Sequence, residues 1–433
     1  MRYFVPRNRH LKIFYEIFIF LYPKAAWLLG CYNEKARQWV NGRKNVFATL
    51  AKAFENNDAP VIWMHCASLG EFEQGRPILE ALKEAYPKHK ILLSFFSPSG
   101  YEVRKNYTGA DYITYLPIDS ARNAKRFFKI VNPTLILFVK YEFWYHYSAQ
   151  AAKRNIPLVL VSGIFREGQS FFKWYGKFYR SILKNFSYFF VQDNVSAKLL
   201  NGIGFLDTVA VSGDTRFDRV IAIANQFEPI SIVEKFCDNH TTIVAGSTWT
   251  EDDEELDHFI NSNPSIKCIV APHDINEDRL KECLHLYHRS MLFSDYENAI
   301  NNQLTIPENL QVLIVNNMGM LTRLYHYATI CLVGGGFGGD GVHNVLEAAV
   351  YGKPVVIGPV FEKYIEVVAL VENGGCISVE DALEMEQVFN SLLDKNDPLY
   401  LEAATAAKSF VYNHAGATKI IMQHIQENRL LIN

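Results

Sequence analysis

The sequence predicts an α/β protein of two Rossmann-like domains preceded by a helical, membrane-associated segment. Three observations lead there. From Pro60 onward, short apolar runs alternate with segments of helical period, the mark of successive βαβ units. The 433 residues, 49% of them apolar, suffice for two cores and exceed one ordinary compact domain. Segments rich in glycine, serine and histidine fall just behind apolar runs, at strand C-termini, where doubly wound sheets take their ligands.

The first element, residues 1–40, is crowded with Phe4, Phe14, Tyr15, Phe18, Phe20, Tyr22, Trp27, Tyr32 and Trp39, behind Arg2, Arg7, Arg9 and Lys12. Its apolar run, 13–31, is interrupted by Glu16 and Pro23-Lys24, whereas a clean span needs about 20 apolar residues. No small-residue cleavage site of a secretory signal follows. Basic flanks, aromatic rings and a helix broken at Pro23 fit an interfacial anchor lying in the membrane plane. A helix docked on its own domain and a true span are the alternatives.

Residues 41–222 form the N-terminal Rossmann-like domain, with strand candidates at 61–66, 90–96, 112–116, 134–139, 158–162, 188–191 and 208–211. A polar stretch around Pro229, residues 223–240, reads as a linker. The C-terminal domain, 241–405, has strand candidates at 241–245, 267–271, 312–315, 330–333 and 355–357. Residues 406–433 read as a last helical segment crossing back to the first domain. A formal net charge of -3 gives no whole-chain attraction to polyanions, so nucleic acid is not an expected partner. Seven scattered cysteines without a CxxC pair indicate reduced thiols and the cytosolic side.

Five segments carry candidate chemistry. In Trp63–Glu71 a buried strand ends in Ser68-Leu69-Gly70-Glu71: Gly70 permits a tight turn, and Glu71 is either a helix-start cap or, partly desolvated at a strand end, a general base. Behind the strand at 330–333, Gly334, Gly335, Gly336, Gly338, Gly339 and Gly341 make an adaptable loop whose amides, with a helix starting near His343, would cradle an anion. His343 and Asn344 could reach the phosphate or sugar, and Glu347, one turn later, could accept from a ribose diol. Neither the P-loop nor the dinucleotide fingerprint is matched. At 245–255, Gly246 and Ser247 are ligand candidates, while the acidic run Glu251–Glu255 reads as a solvated helix start. His273-Asp274 lacks the company of a metal cluster or a triad, and no metal is expected. Asp218, in Gly213–Arg219, reads as a hinge ion-pair member. His65 reads as a satisfied core histidine.

In order and spacing these segments, with Tyr141-Glu142-Phe143-Trp144, Gly213-Asp214-Thr215-Arg216-Phe217-Asp218, Gly246-Ser247-Thr248, Asn317-Met318-Gly319 and Gly358-Pro359, resemble the Kdo transferases over nearly the whole chain. These move 3-deoxy-D-manno-octulosonic acid from CMP-Kdo to the lipid A precursor. The resemblance implies a GT-B fold with two domains facing a central cleft, metal-free and cofactor-free chemistry, and Glu71 as the catalytic carboxylate of an inverting transfer. It implies donor contacts from Gly246, Ser247, Pro272, His273, Met318, Gly319, Gly336, His343, Asn344 and Glu347, and acceptor contacts from Ser68, Gly70, Lys140, Glu142 and Arg166. The implied partners are CMP-Kdo, a lipid A precursor (lipid IVA) and the inner-membrane surface at its cytoplasmic face. Three positions depart from the family pattern: Lys140 replaces a glutamate, His273-Asp274 stands for Arg-His, and Trp249 stands for histidine. The alternatives are another GT-B sugar-nucleotide enzyme, such as an epimerase or UDP-sugar transferase, and a nucleotide-sugar-binding protein with a degenerate site.

Overall fold

The computed structural model describes residues 8–339 and 341–432; Arg2, Phe4, Arg7 and Asp340 lie outside them. The chain forms two compact units, one ending at Arg219 and rejoined from Ala415, the other Val220–His414.

The first unit holds β1 (Val61–Cys66), β2 (Lys90–Phe95), β3 (Tyr112–Tyr115), β4 (Pro133–Val139), β5 (Leu158–Gly163), β6 (Tyr188–Val191) and β7 (Val209–Val211). They pair in parallel in the order β3-β2-β1-β4-β5-β6-β7. β1 and β5 are buried along their whole length, which is why they read as unbroken apolar runs rather than alternating ones. The order reverses between β1 and β4, so ligand-binding residues are expected at the C-terminal ends of those two strands. The Leu69–Ala85 helix presses on them there: a Cβ on Gly75 would lie 2.8 Å from Met64 Sδ and 3.0 Å from Val139 Cγ2.

The second unit holds β8 (Thr242–Thr248), β9 (Lys267–Pro272), β10 (Ser290–Leu292), β11 (Val312–Ile314), β12 (Ile330–Val333), β13 (Val355–Ile357) and β14 (Cys376–Ser378). Their order is β10-β11-β9-β8-β12-β13-β14, again parallel, with the reversal between β8 and β12. Sequence reading missed β10 and β14, edge strands of three residues each, too short to show a period.

Three local expectations are corrected. The 223–240 stretch is not plain linker, because the Ser231–Cys237 helix buries Val233 and Phe236. The final segment is two helices, Pro398–Asn413 and Ala417–Glu427, separated at Gly416 with φ +114°. The latter buries Ile421, Met422 and Ile425 in the first unit's core with Ile62 and Leu79. Asp218 is no hinge ion pair; it caps this helix, accepting from Gly416 N and Thr418 N, both at 2.6 Å.

A fourth correction concerns the Asn8–Leu29 helix, which runs through Pro23 unbroken. Glu16, the charge inside the apolar run, bonds His146 Nε2 at 2.9 Å, and Tyr15 donates to Asp119. Ile13, Phe14, Ile17, Phe18, Phe20, Leu21, Trp27, Leu28 and Leu29 are exposed. No helix among the described residues is long and apolar enough to cross a membrane. Six cysteines are buried and Cys31 is exposed.

Candidate functional site

In the first unit the chain leaves β1 through Ala67-Ser68, braced by Ser97 N donating to Ala67 O at 2.6 Å. Glu71 is the third residue of the helix that follows, and its Oε2 accepts from Ala67 N. It is thus a cap, as one reading held, yet only 8% exposed. Burial, seconded by the Glu142 carboxylate, pushes its pKa up to about 8 against the pull of the Ala67 amide, Lys140 and the Ser68 amide. Capping and poising as a base are compatible here. Gly70 does not make a tight turn: it sits exposed in the first helical turn, and a Cβ there would meet nothing within 4 Å. Ser68, the N-cap residue, makes no side-chain cap bond.

Behind β4, Lys140 takes a left-handed conformation, φ 63°, with its ammonium 5.3 Å from the centre of the Tyr141 ring. Glu142, 6% exposed, accepts from Trp144 Nε1 at 2.5 Å and lies 2.7 Å from His65 Nε2. His65 Nδ1 in turn is 2.9 Å from Ser94 Oγ, which accepts from Trp63 Nε1 at 2.7 Å. His65 Nδ1 also lies 3.0 Å from Ser94 O, and Trp144 Nε1 lies 3.2 Å from His65 Nε2. His65 is therefore satisfied, as expected, but its partner is a site carboxylate. Sequence reading missed this network, since the residues come from three strand ends; the polar His65 and Ser94 inside apolar strands were the available signal. Arg166 is exposed, and its charge is felt at the Tyr141 hydroxyl together with that of Glu71. Arg76 is bound to Glu80 at 2.7 Å.

In the second unit, Gly246 and Ser247 end β8. A Cβ on Gly246 would fall 2.1 Å from the Tyr325 hydroxyl, so glycine there admits the tyrosine. The glycine loop behind β12 is less adaptable than expected. Gly336 is buried across Gly358, and a Cβ on it would lie 2.6 Å from Gly358 N. Gly339 is exposed with open space around it. The acidic run is a solvated helix start only at Glu251 and Glu254, which are exposed: Asp252 accepts from Trp249 N at 2.8 Å and Gly335 N at 2.7 Å, while Asp253 pairs with Arg279. Burial raises the pKa of both above the carboxylate norm.

The helix after His343 is Leu346–Ala349, a single turn with Val345 as its N-cap. Glu347 accepts from Asn344 Nδ2 at 3.0 Å and from Thr322 Oγ1 at 2.6 Å, so Asn344 and Glu347 are brought together. His343 instead meets Trp249 and His273, a grouping the sequence did not disclose. Pro272 is buried as the last residue of β9; Met318, 77% exposed, and Gly319, φ +91°, stand on an open turn. Among the described residues no cluster of His, Cys, Asp and Glu could hold a metal ion.

Residues 42–219 match the family model described as 3-deoxy-D-manno-octulosonic-acid transferase (kdotransferase). A 3-deoxy-D-manno-octulosonic acid transferase of Rickettsia prowazekii is 25% identical over 410 residues, covering 92% of this chain and 86% of the relative. One of Aquifex aeolicus is 27% identical over 350 residues, covering 79% and 88%. Among solved structures, UDP-GlcNAc 2-epimerase of Neisseria meningitidis matches 85% of this chain and 100% of its own, with TM-score 0.59 and 16% identity, a likeness of fold alone.

Proposed function

We propose that this chain is a glycosyltransferase of the Kdo transferase family and that it transfers Kdo from CMP-Kdo to a lipid A precursor, lipid IVA, with inversion at the anomeric carbon. The observation that carries this reading is Glu71, a buried carboxylate at the β1 end, held in place by a backbone amide and with its pKa raised to about 8. Its carboxylate takes the proton of an acceptor sugar hydroxyl. The hydroxyl oxygen bonds to the anomeric carbon, and the bond from that carbon to the CMP phosphate breaks, its electron pair leaving with CMP. Lys140, Glu142, Ser68, Gly70 and Arg166 line the acceptor side of this reading. On the donor side Asn344 and Glu347, tied to Thr322, offer a ribose contact, and Gly246, Ser247, Pro272, His273, Met318, Gly319 and His343 offer the rest. No metal or cofactor is invoked. The exposed apolar row of the Asn8–Leu29 helix supports docking on the cytoplasmic face of the inner membrane, where such an acceptor resides.

The test is incubation with CMP-Kdo and a tetra-acylated lipid A precursor, read by mass spectrometry. Transfer by the wild type is expected to rise with pH through about 8, because the base works deprotonated. Glu71→Gln is expected to lose about 10²–10⁴-fold. Near wild-type transfer by a folded Glu71→Gln protein sinks the base assignment.

A further inference from the structure

The Asn8–Leu29 helix has a second face. Opposite its exposed apolar row, Leu11, Tyr15, Ile19, Tyr22 and Ala26 recur at helical spacing and turn inward, Ile19 and Ala26 being buried. From this stripe Tyr15 carries its hydroxyl into the first unit, where it donates to Asp119 Oδ2 and accepts from Tyr145 N at 3.3 Å. Burial and the Asp119 carboxylate push its pKa up, so the hydroxyl keeps its proton. Asp119, 1% exposed, lies between β3 and the Ala121–Val131 helix.

Those contacts complete the start of another helix. Tyr145–Lys153 opens behind Trp144, its N-cap residue, and such a residue ordinarily accepts from the first free amides. An indole N–H only donates, so Trp144 cannot do this. The cap is imported instead: His146 N donates to Asp119 Oδ2 at 2.9 Å, Tyr147 N to Asp119 Oδ1 at 3.0 Å, and Tyr145 N to the Tyr15 hydroxyl. The Trp144 side chain turns to the site. Its Nε1 donates to Glu142 Oε2 at 2.5 Å, and its ring lies 4.9 Å from that of Phe96, whose carbonyl accepts from Arg43 Nη2 at 2.7 Å.

Glu142 is therefore held from two directions. His65 Nε2, 2.7 Å away, belongs to β1 and is placed by the sheet. Trp144 belongs to residues 140–144, which lie in neither strand nor helix and run from the end of β4 to the capped start of the Tyr145–Lys153 helix. We propose that Tyr15 is a positioning residue of the first unit's site: by completing, with Asp119, the cap of the Tyr145–Lys153 helix, it sets the Trp144 indole on Glu142 and so fixes the site's second carboxylate. The helix read above as a membrane dock is thereby part of the catalytic scaffold, through its opposite face. The effect on transfer rests on the proposed reaction; the placement of Trp144 does not.

The experiment uses the full chain isotope-labelled at tryptophan, whose six indole N–H signals are followed by NMR, Trp144 being assigned by the signal lost in Trp144→Phe. Tyr15→Phe keeps the ring and removes the hydroxyl. It is expected to shift the Trp144 signal and speed its exchange with water about three- to tenfold, the worth of one hydrogen bond, while the Trp249 signal stays in place. With CMP-Kdo and the lipid A precursor in detergent micelles, where docking on a bilayer does not enter, kcat should fall by a similar factor with the KM for CMP-Kdo unchanged. Glu16→Ala breaks a second tie between the two helices, the bond to His146 Nε2, without touching the cap, and should leave both readouts at wild type. A Trp144 signal unmoved by Tyr15→Phe, a wild-type kcat despite a moved signal, or equal effects from Glu16→Ala overturns the proposal. No Kdo transfer by the wild type, with Trp144 still responding to Tyr15→Phe, overturns the proposed reaction and leaves the positioning of Glu142 standing.

Discussion

The two units reverse their strand order at equivalent places, between β1 and β4 and between β8 and β12, yet build those places from different material. The first fills its strand ends with buried side-chain charge: Glu71, Glu142 and His65 are each under 9% exposed. The second uses backbone, crossing Gly336 over Gly358 and fixing the loop amides on Asp252, and leaves the polar ring of His273 open. One scaffold thus presents a titrating site and a shape-determined one. Changes of charge should matter most in the first unit, and changes of volume in the second.

The largest expected stability effect tests the first half of that contrast. Glu71 ionises near its ordinary value of 4.5 when unfolded and near 8 when folded. The folded state therefore binds the extra proton between those values, and its contribution to stability, fully present below about 4.5, is lost as pH rises to about 8. Glu71→Gln removes the loss. In urea denaturation it should match wild type near pH 5 and exceed it near pH 8 by on the order of a few kcal/mol. Equal differences at both pH values would mean that the site is not held against its own charge.

The second half of the contrast is tested by paired glycines. Gly336→Ala places a Cβ against the Gly358 backbone, which cannot rotate away, and should cost about 1–3 kcal/mol. Gly339→Ala, in open space, should stay within about 0.5 kcal/mol. Similar losses from both would make the loop an adaptable one after all.

The same contrast explains what could be read from the sequence. Buried parallel strands such as β1, β4 and β12 announce themselves as apolar runs, and the residues just behind them follow from the doubly wound rule. Glu71 was legible in that way. What was not legible depends on partners distant in sequence. The acids Asp252 and Asp253 look like a solvated helix start until the amide of Gly335 and the guanidinium of Arg279 are brought to them. Gly336 looks like a flexible phosphate loop until Gly358, 22 residues on, is seen to cross it. His343 looks like a helix start because glycines precede it, whereas its ring is placed by Trp249, 94 residues earlier.

The smallest effect sharpens the boundary between the units. Asp218 lies in the helix Thr215–Asn225, through which the chain leaves the first unit, and its two carboxylate oxygens accept from Gly416 N and Thr418 N, where the chain returns. One carboxylate therefore ties the outgoing and incoming strands of the connection, and satisfies amides at the start of the Ala417–Glu427 helix that no helical carbonyl can reach. Asp218→Ala should cost about 1 kcal/mol, within the usual range for losing a helix cap. Because Ile421, Met422 and Ile425 still bury themselves in the first unit's core, the loss should be confined to the helix's first turn. Hydrogen exchange should speed up at Gly416–Thr418 while amides of β8 and β12 keep their wild-type rates. If the second unit's strands also exchanged faster, the cap would be a fastening for both units, and the division of labour between a charge-built first unit and a backbone-built second one would need redrawing.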